Sequence, residues 1–282
     1  MTRIPWREEV VQIGAPVPLH GVLTRPASDS LPFALVILNS GLLHHVGSCG
    51  FSVKLARAAA QIGVPALRYD TSGVGDSPAR PSGASHDRRS VSELLEVLDA
   101  MQRQLGVDRF ALMGLCSGAF TAFDASVIDD RVIAMTQVAP FTYRTGEWYA
   151  RHYVPRVLTY DTWRRYIARK VGAEATRPSG LDEQYLEAYD AGWSVPPQSV
   201  VEDGYRSLLA RRVHLFNIMT GGESDSYLYE GQFRDMFPSL AFDERFIEWY
   251  LPEATHTITR PDHQRLVLSR IVQWLSGIAR PR

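Results

Sequence analysis

Between residues 33 and 140 the chain alternates short, continuously apolar runs with longer amphipathic stretches, and few folds accommodate that order. FALVIL (33–38), VPALRYD (64–70), DRFALMG (108–114) and RVIAMTQVAP (131–140) each read as a strand. Runs that stay apolar at successive positions suit strands covered on both faces, the condition of a parallel sheet. LARAAAQIG (55–63), SVSELLEVLDAMQRQLG (90–106) and SGAFTAFDASVI (117–128) lie between them with helical composition. The second of these opens on Ser90 and Glu93 at capping-box spacing and closes on Gly106. Such alternation predicts an α/β fold, a mostly parallel, doubly wound sheet with helices on both faces.

Residues 8–25 add two strands, EEVVQIG and LHGVLTRP, around a turn with two prolines. After Pro140 the pattern breaks, and no convincing strand follows until RVHLFNIM (212–219). ERFIEWYL (244–251) and RLVLSRIVQWLSGI (265–278) then supply a last strand and a last helix. The expected organisation is a core formed by residues 1–140 and 211–282, with a helical cap inserted at 141–210. Residues 141–193 hold 11 of the 29 aromatic residues, which suits both a roof over a pocket and a core for the insertion itself. Trp148, Tyr149 and Trp163 are candidate substrate contacts on that ground.

Charge excludes some functions. The net charge is −1 and the pI about 6.7, which argues against non-specific binding to nucleic acid. The balance is a cancellation within the cap: residues 141–170 carry seven basic and two acidic side chains, and residues 181–210 carry one basic and six acidic. Solvated helix faces that pair with each other explain this, and so does a basic face for an acidic carrier domain. Two cysteines, Cys49 and Cys116, are too few for a disulfide framework. With no apolar leader and no run of about 18 apolar residues, a cytoplasmic location away from membranes is expected. No histidine pair has zinc-ligand spacing with a third ligand, so neither a metal nor another cofactor is expected.

The chemistry centres on Gly114-Leu115-Cys116-Ser117-Gly118, between an expected strand and an expected helix. A sharp strand-to-helix turn strains its central residue and needs glycines on either side for the close crossing. It also puts the Cys116 sulfur at a helix N-terminus, where the dipole favours thiolate. Upstream, Asn39-Ser40-Gly41-Leu42 ends an apolar strand, and RYDTSGVGDS (68–77) ends the next. Downstream, Thr220-Gly221-Gly222-Glu223-Ser224-Asp225 follows a late strand, and His256 lies between the last strand and the last helix.

Taken together, these segments resemble the α/β-hydrolase superfamily in its cysteine-nucleophile form. The elbow cysteine is similar to that of dienelactone hydrolases, and the set NSGLLHHVG, YDTSGVGDS and GLCSGA resembles hydrolases associated with exosortase systems. Aminoacyl shuttles of nonribosomal peptide pathways also use such a cysteine. The resemblance implies Cys116 as nucleophile, His256 as base and a carboxylate on the 220–225 loop as the third member. Gly-x-x-Asp spacing from Gly222 selects Asp225, with Glu223 as the alternative acid. It further implies an oxyanion hole from the backbone N–H groups of Leu42 and Ser117, with His44 and His45 placed to touch substrate.

The expected activity is acyl transfer through a thioester acyl-enzyme, hydrolysing an ester, thioester or activated amide. An acyltransferase or aminoacyl shuttle between phosphopantetheine carrier proteins is the alternative. A hydrolase fold reused for binding or non-acyl chemistry is the third reading.

Overall fold

The computed structural model describes residues 5–28, 30–81, 85–158, 195–223 and 225–278. Among the described residues eight strands form one sheet: β1 (Trp6–Ile13), β2 (Leu19–Pro26), β3 (Ala34–Ile37), β4 (Ala66–Tyr69), β5 (Phe110–Leu115), β6 (Val132–Val138), β7 (His214–Thr220) and β8 (Phe246–Leu251). Their order is β1-β2-β4-β3-β5-β6-β7-β8. β1 with β2 and β2 with β4 pair antiparallel; from β4 through β8 every pair is parallel.

The described helices are α1 (Phe51–Ala60), α2 (His86–Leu105), α3 (Ser117–Ile128), α4 (Gly146–Leu158), α5 (Gln198–Ala210), α6 (Gln232–Met236) and α7 (Pro261–Ile278). The central strands alternate their side chains between two apolar layers, because successive Cβ atoms point to opposite faces. Leu35, Ile37, Ala111 and Met113 join residues of α1 and α7 on one face. Val36, Phe110 and Leu112 join residues of α2, α3 and α5 on the other. No helix among the described residues is long and apolar enough to cross a membrane.

Two local expectations change. α2 begins at His86, four residues before Ser90, so Ser90 lies inside the helix and does not cap it. Glu93, its expected capping partner, is buried and accepts the Ser72 backbone N–H at 2.9 Å instead. The second concerns the cap. α5 lies within the span expected to form it, yet Val201, Tyr205 and Leu208 are buried in the sheet's own core. Tyr205 donates its hydroxyl to Gln137 of β6 at 2.6 Å. Trp163 and the rest of 159–194 lie outside the described residues.

Candidate active site

The C-terminal ends of β3 to β8 converge on one edge of the sheet, where open α/β sheets hold their ligands. Cys116 follows β5 directly and takes φ 54°, ψ −122°, a conformation that a residue with a Cβ adopts only at a cost of about 1–3 kcal/mol. Its N–H donates to the Val138 carbonyl at the end of β6 (2.9 Å), which locks the turn to the neighbouring strand. The glycines permit the crossing: a Cβ on Gly114 would fall 2.1 Å from the Gly118 carbonyl oxygen. Cys116 is half-buried, and α3 starts at the next residue.

The turn after β3 docks onto this elbow. A Cβ on Gly118 would sit 2.3 Å from the Asn39 carbonyl oxygen, and the Gly41 N–H donates to the Ser117 hydroxyl oxygen at 2.6 Å. Leu43 N–H donates to the Ser40 carbonyl at 3.0 Å, whereas the N–H of Leu42 between them has no partner among the described residues. The Ser117 and Gly118 N–H groups are at the start of α3, where no intrahelical acceptor exists. Donors from two segments are therefore gathered around one elbow. Ser117 itself is buried, and its hydroxyl is committed to Gly41.

The docking turn is held in place by Asp70 and Asp76 of the RYDTSGVGDS segment together with Asn39 and His45. Asp70, fully buried at the end of β4, accepts Asn39 Nδ2 at 2.9 Å and His45 N–H at 2.6 Å on one oxygen. Its other oxygen meets His45 Nδ1 at 2.7 Å and the Asp76 N–H at 3.0 Å. Asn39 also donates to the Leu43 carbonyl at 2.7 Å and accepts the Thr71 N–H at 2.7 Å. His45 is thus buried and engaged with Asp70 through Nδ1. His44 is more exposed, pairs with Asp76 at 3.0 Å, and lines a small cleft with Leu43, Phe51, Met113 and Leu115.

His44, His45, Asp70 and Asp76 bring their ligand-type atoms within 4.8 Å of one another. Both Asp70 oxygens already accept two hydrogen bonds each, so the cluster is filled by its own donors.

Burial works to raise the Asp70 pKa, but the bonds from His45, the Asp76 N–H and Asn39 outweigh it, and the net shift is downward. The folded state therefore binds fewer protons than the unfolded state as Asp70 titrates. Its stabilisation is whole above about pH 4 and is lost as pH falls through the lowered value. D70N is expected to cost about 3 kcal/mol in urea unfolding at pH 7, because it breaks a buried, hydrogen-bonded pair. The gap from wild type should narrow toward pH 3. A gap of constant size would show that Asp70 contributes nothing through its charge.

His256 lies in the turn between β8 and α7, half-buried. The turn is closed by Ile258 N–H to the Thr255 carbonyl (2.9 Å) and by buried Gln264, whose Nε2 donates to the carbonyls of Ile258 (3.0 Å) and Ser48 (3.1 Å). Lys54 donates to Gln264 Oε1 at 2.7 Å and fastens the same junction to α1. The loop after β7 packs against this turn. A Cβ on Gly222 would lie 2.3 Å from the His256 backbone nitrogen, so the two backbones touch where only glycine fits. Glu223 follows in the 3-10 turn Gly221–Glu223. Asp225 is exposed; its carbonyl accepts Arg144 Nε at 3.0 Å, and its carboxylate has no partner among the described residues.

On α4, Trp148 is buried and stacked on His152 (4.4 Å between ring centroids), while Tyr149 is 47% exposed. Of the two aromatic candidates here, Tyr149 is thus the accessible one. Neither pairing of His45 with Asp70 nor of Arg144 with Asp225 is announced by a local pattern, because the partners are 25 and 81 residues apart.

No protein-family profile and no curated protein sequence matches the chain. Solved structures do. One is an α/β serine hydrolase without lid from Xanthomonas campestris, with 13% identity and a TM-score of 0.58 over 99% of each chain. Another is an esterase of Pyrococcus furiosus, with 14% identity and a TM-score of 0.62 over 97% of this chain and 91% of that one. A third is an α/β serine hydrolase homologue from Coxiella burnetii, with 17% identity and a TM-score of 0.57 over 94% and 96%. At such identities the likeness is one of architecture, and it extends over almost the whole length of each chain. Sheet order, helix placement and elbow agree with it: the chain has the α/β-hydrolase fold.

Proposed function

We propose that the protein is an acyl-transfer enzyme in which Cys116 attacks an ester, thioester or activated amide and water resolves the acyl-enzyme. The observation that carries this reading is the elbow: Cys116 at positive φ between β5 and α3, with the β3 turn docked on it by the Gly41–Ser117 bond. The similar structures are of an esterase and of proteins described as serine hydrolases, which supports hydrolysis as the reaction class. Ser117 does not suit the role of nucleophile here, since it begins the helix, is buried and holds Gly41.

In this mechanism His256 takes the Cys116 proton or holds the pair as thiolate and imidazolium, and a carboxylate on the 220–225 loop orients the ring. Leu42 and Ser117 N–H groups receive the oxyanion, each worth about 3 kcal/mol in the transition state. Collapse of the tetrahedral intermediate leaves a Cys116 thioester and releases the alcohol, thiol or amine, which takes the proton from His256. Water, deprotonated by His256, then releases the acid and restores the thiol. His44 and Tyr149 are the accessible side chains that would contact the substrate.

Intact-protein mass spectrometry with acyl thioesters tests the reading. An acyl adduct on Cys116 that decays to water is expected. Decay that instead requires a second thiol would make the protein a shuttle between carrier thioesters. Absence of an adduct with every donor, together with an unreactive thiol, would leave the fold as a binding module.

A further inference from the structure

Beyond Val138, at the end of β6, the chain crosses the edge of the sheet that carries the elbow. Ala139 N–H donates to the Ile218 carbonyl of β7 at 3.0 Å, and buried Phe141 stacks on Phe120 of α3 at 4.0 Å. The next residues are tied to the loop after β7. Thr142 donates to Ser226 Oγ at 2.7 Å, and Thr145 Oγ1 bonds the Tyr229 hydroxyl at 2.8 Å.

Arg144 lies between these ties. Its Nε donates to the Asp225 carbonyl at 3.0 Å, and its guanidinium carbon stands 4.6 Å from the centre of the buried Trp148 ring. Arg144 is exposed; the bond and the ring orient its guanidinium, and no carboxylate among the described residues pairs with it. Two nearby comparisons sharpen the point. Arg151, on the following helix, rests on Tyr229 but bonds Glu147 at 2.7 Å. Arg234 also rests on aromatic rings, but beside the Phe246 carbonyl, at the opposite end of β8 from His256.

We propose that Arg144 recognises an anionic oxygen group, a carboxylate or a phosphate, on the acyl group or on the arm that carries it. The proposal rests on the acyl-transfer reading above and names the substrate class for it. A guanidinium already stacked and bonded through Nε loses little freedom when its terminal N–H groups take up an oxyanion. Charge-assisted bonds from that fork are the strong kind, and their worth grows as the bound substrate displaces water. Its anchor, Asp225, belongs to the loop after β7, whose Gly222 packs against the His256 backbone, so Arg144 and the turn of His256 are tied to the same loop.

Four thioesters separate the sources: valeryl and glutaryl groups, each on N-acetylcysteamine and on coenzyme A. Glutaryl adds a carboxylate to the acyl group; coenzyme A adds phosphates to the arm. Wild type is expected to favour the anionic member of one pair by about tenfold or more in kcat/KM. R144Q should bring that ratio close to one, chiefly through KM, while R144K keeps part of it. A wild type indifferent to all four thioesters would overturn the proposal. So would R144Q lowering all four equally, which is the mark of a structural role.

A binding measurement keeps the test independent of turnover. Glutarate or inorganic phosphate should bind the wild-type protein about tenfold more tightly than R144Q by calorimetry. Equal binding of both ions by the two proteins sinks the role of Arg144, whereas loss of turnover with binding intact counts against Cys116 chemistry instead.

Discussion

C116A is expected to lower kcat toward thioesters by about 10⁵-fold or more, the scale on which loss of an activated nucleophile acts. The side chain is half-buried and small, so Tm should stay within about 2 °C of wild type. The strained backbone at φ 54° is imposed by the crossing of β5 and α3 and persists in the variant. C116S is the more informative partner. A serine ester formed from a thioester lies downhill, whereas a cysteine thioester is close in energy to its donor. The serine variant should therefore accumulate an ester adduct that does not move on to an added thiol. Stopped-flow release of thiol and intact mass read the two steps separately. Turnover by C116A at more than a thousandth of the wild-type rate would remove Cys116 from the chemistry.

The architecture was readable because each parallel strand is apolar on both faces. Leu35 and Val36 feed opposite layers of the core, and a sequence that leaves no polar face can belong only to a covered sheet. The elbow was readable for a related reason: Gly114 and Gly118 are where a Cβ would meet the backbone carbonyl oxygens of Gly118 and Asn39, so the local motif records a steric demand. Less was recoverable where one side chain had several uses. Ser90 and Glu93 have the spacing of a helix cap, but Glu93 is claimed by the Ser72 N–H 21 residues away. An amphipathic pattern likewise marks α5 as a helix without saying which surface it covers, so a helix of the core reads as part of the cap. Asp70 illustrates the limit best. Its partners come from Asn39, His45 and Asp76, and a histidine in a polar loop looks the same in sequence whether it faces a substrate or a buried carboxylate.

Two carboxylates on the loop after β7 compete for the place of the triad acid. Spacing from Gly222 selects Asp225, and the loop carries Glu223 two residues earlier. In the folded chain the Gly222 backbone packs against that of His256, and Glu223 is the next residue of the same tight turn. Asp225 is farther along, exposed, and linked through its carbonyl to Arg144. An exposed carboxylate holds an imidazolium weakly, since exposed ion pairs are worth about 0–1 kcal/mol, which counts against Asp225 where it stands. E223Q is accordingly expected to lower kcat by about 10³- to 10⁴-fold with little change in KM, as loss of the orienting acid does elsewhere. D225N should stay within about tenfold of wild type. Steady-state kinetics on a neutral thioester, which bypasses any anion bound at Arg144, compares the two variants directly. The opposite order of effects would return the role to Asp225 and require the 220–225 loop to rearrange on substrate binding, with Arg144 released from the Asp225 carbonyl as it does so.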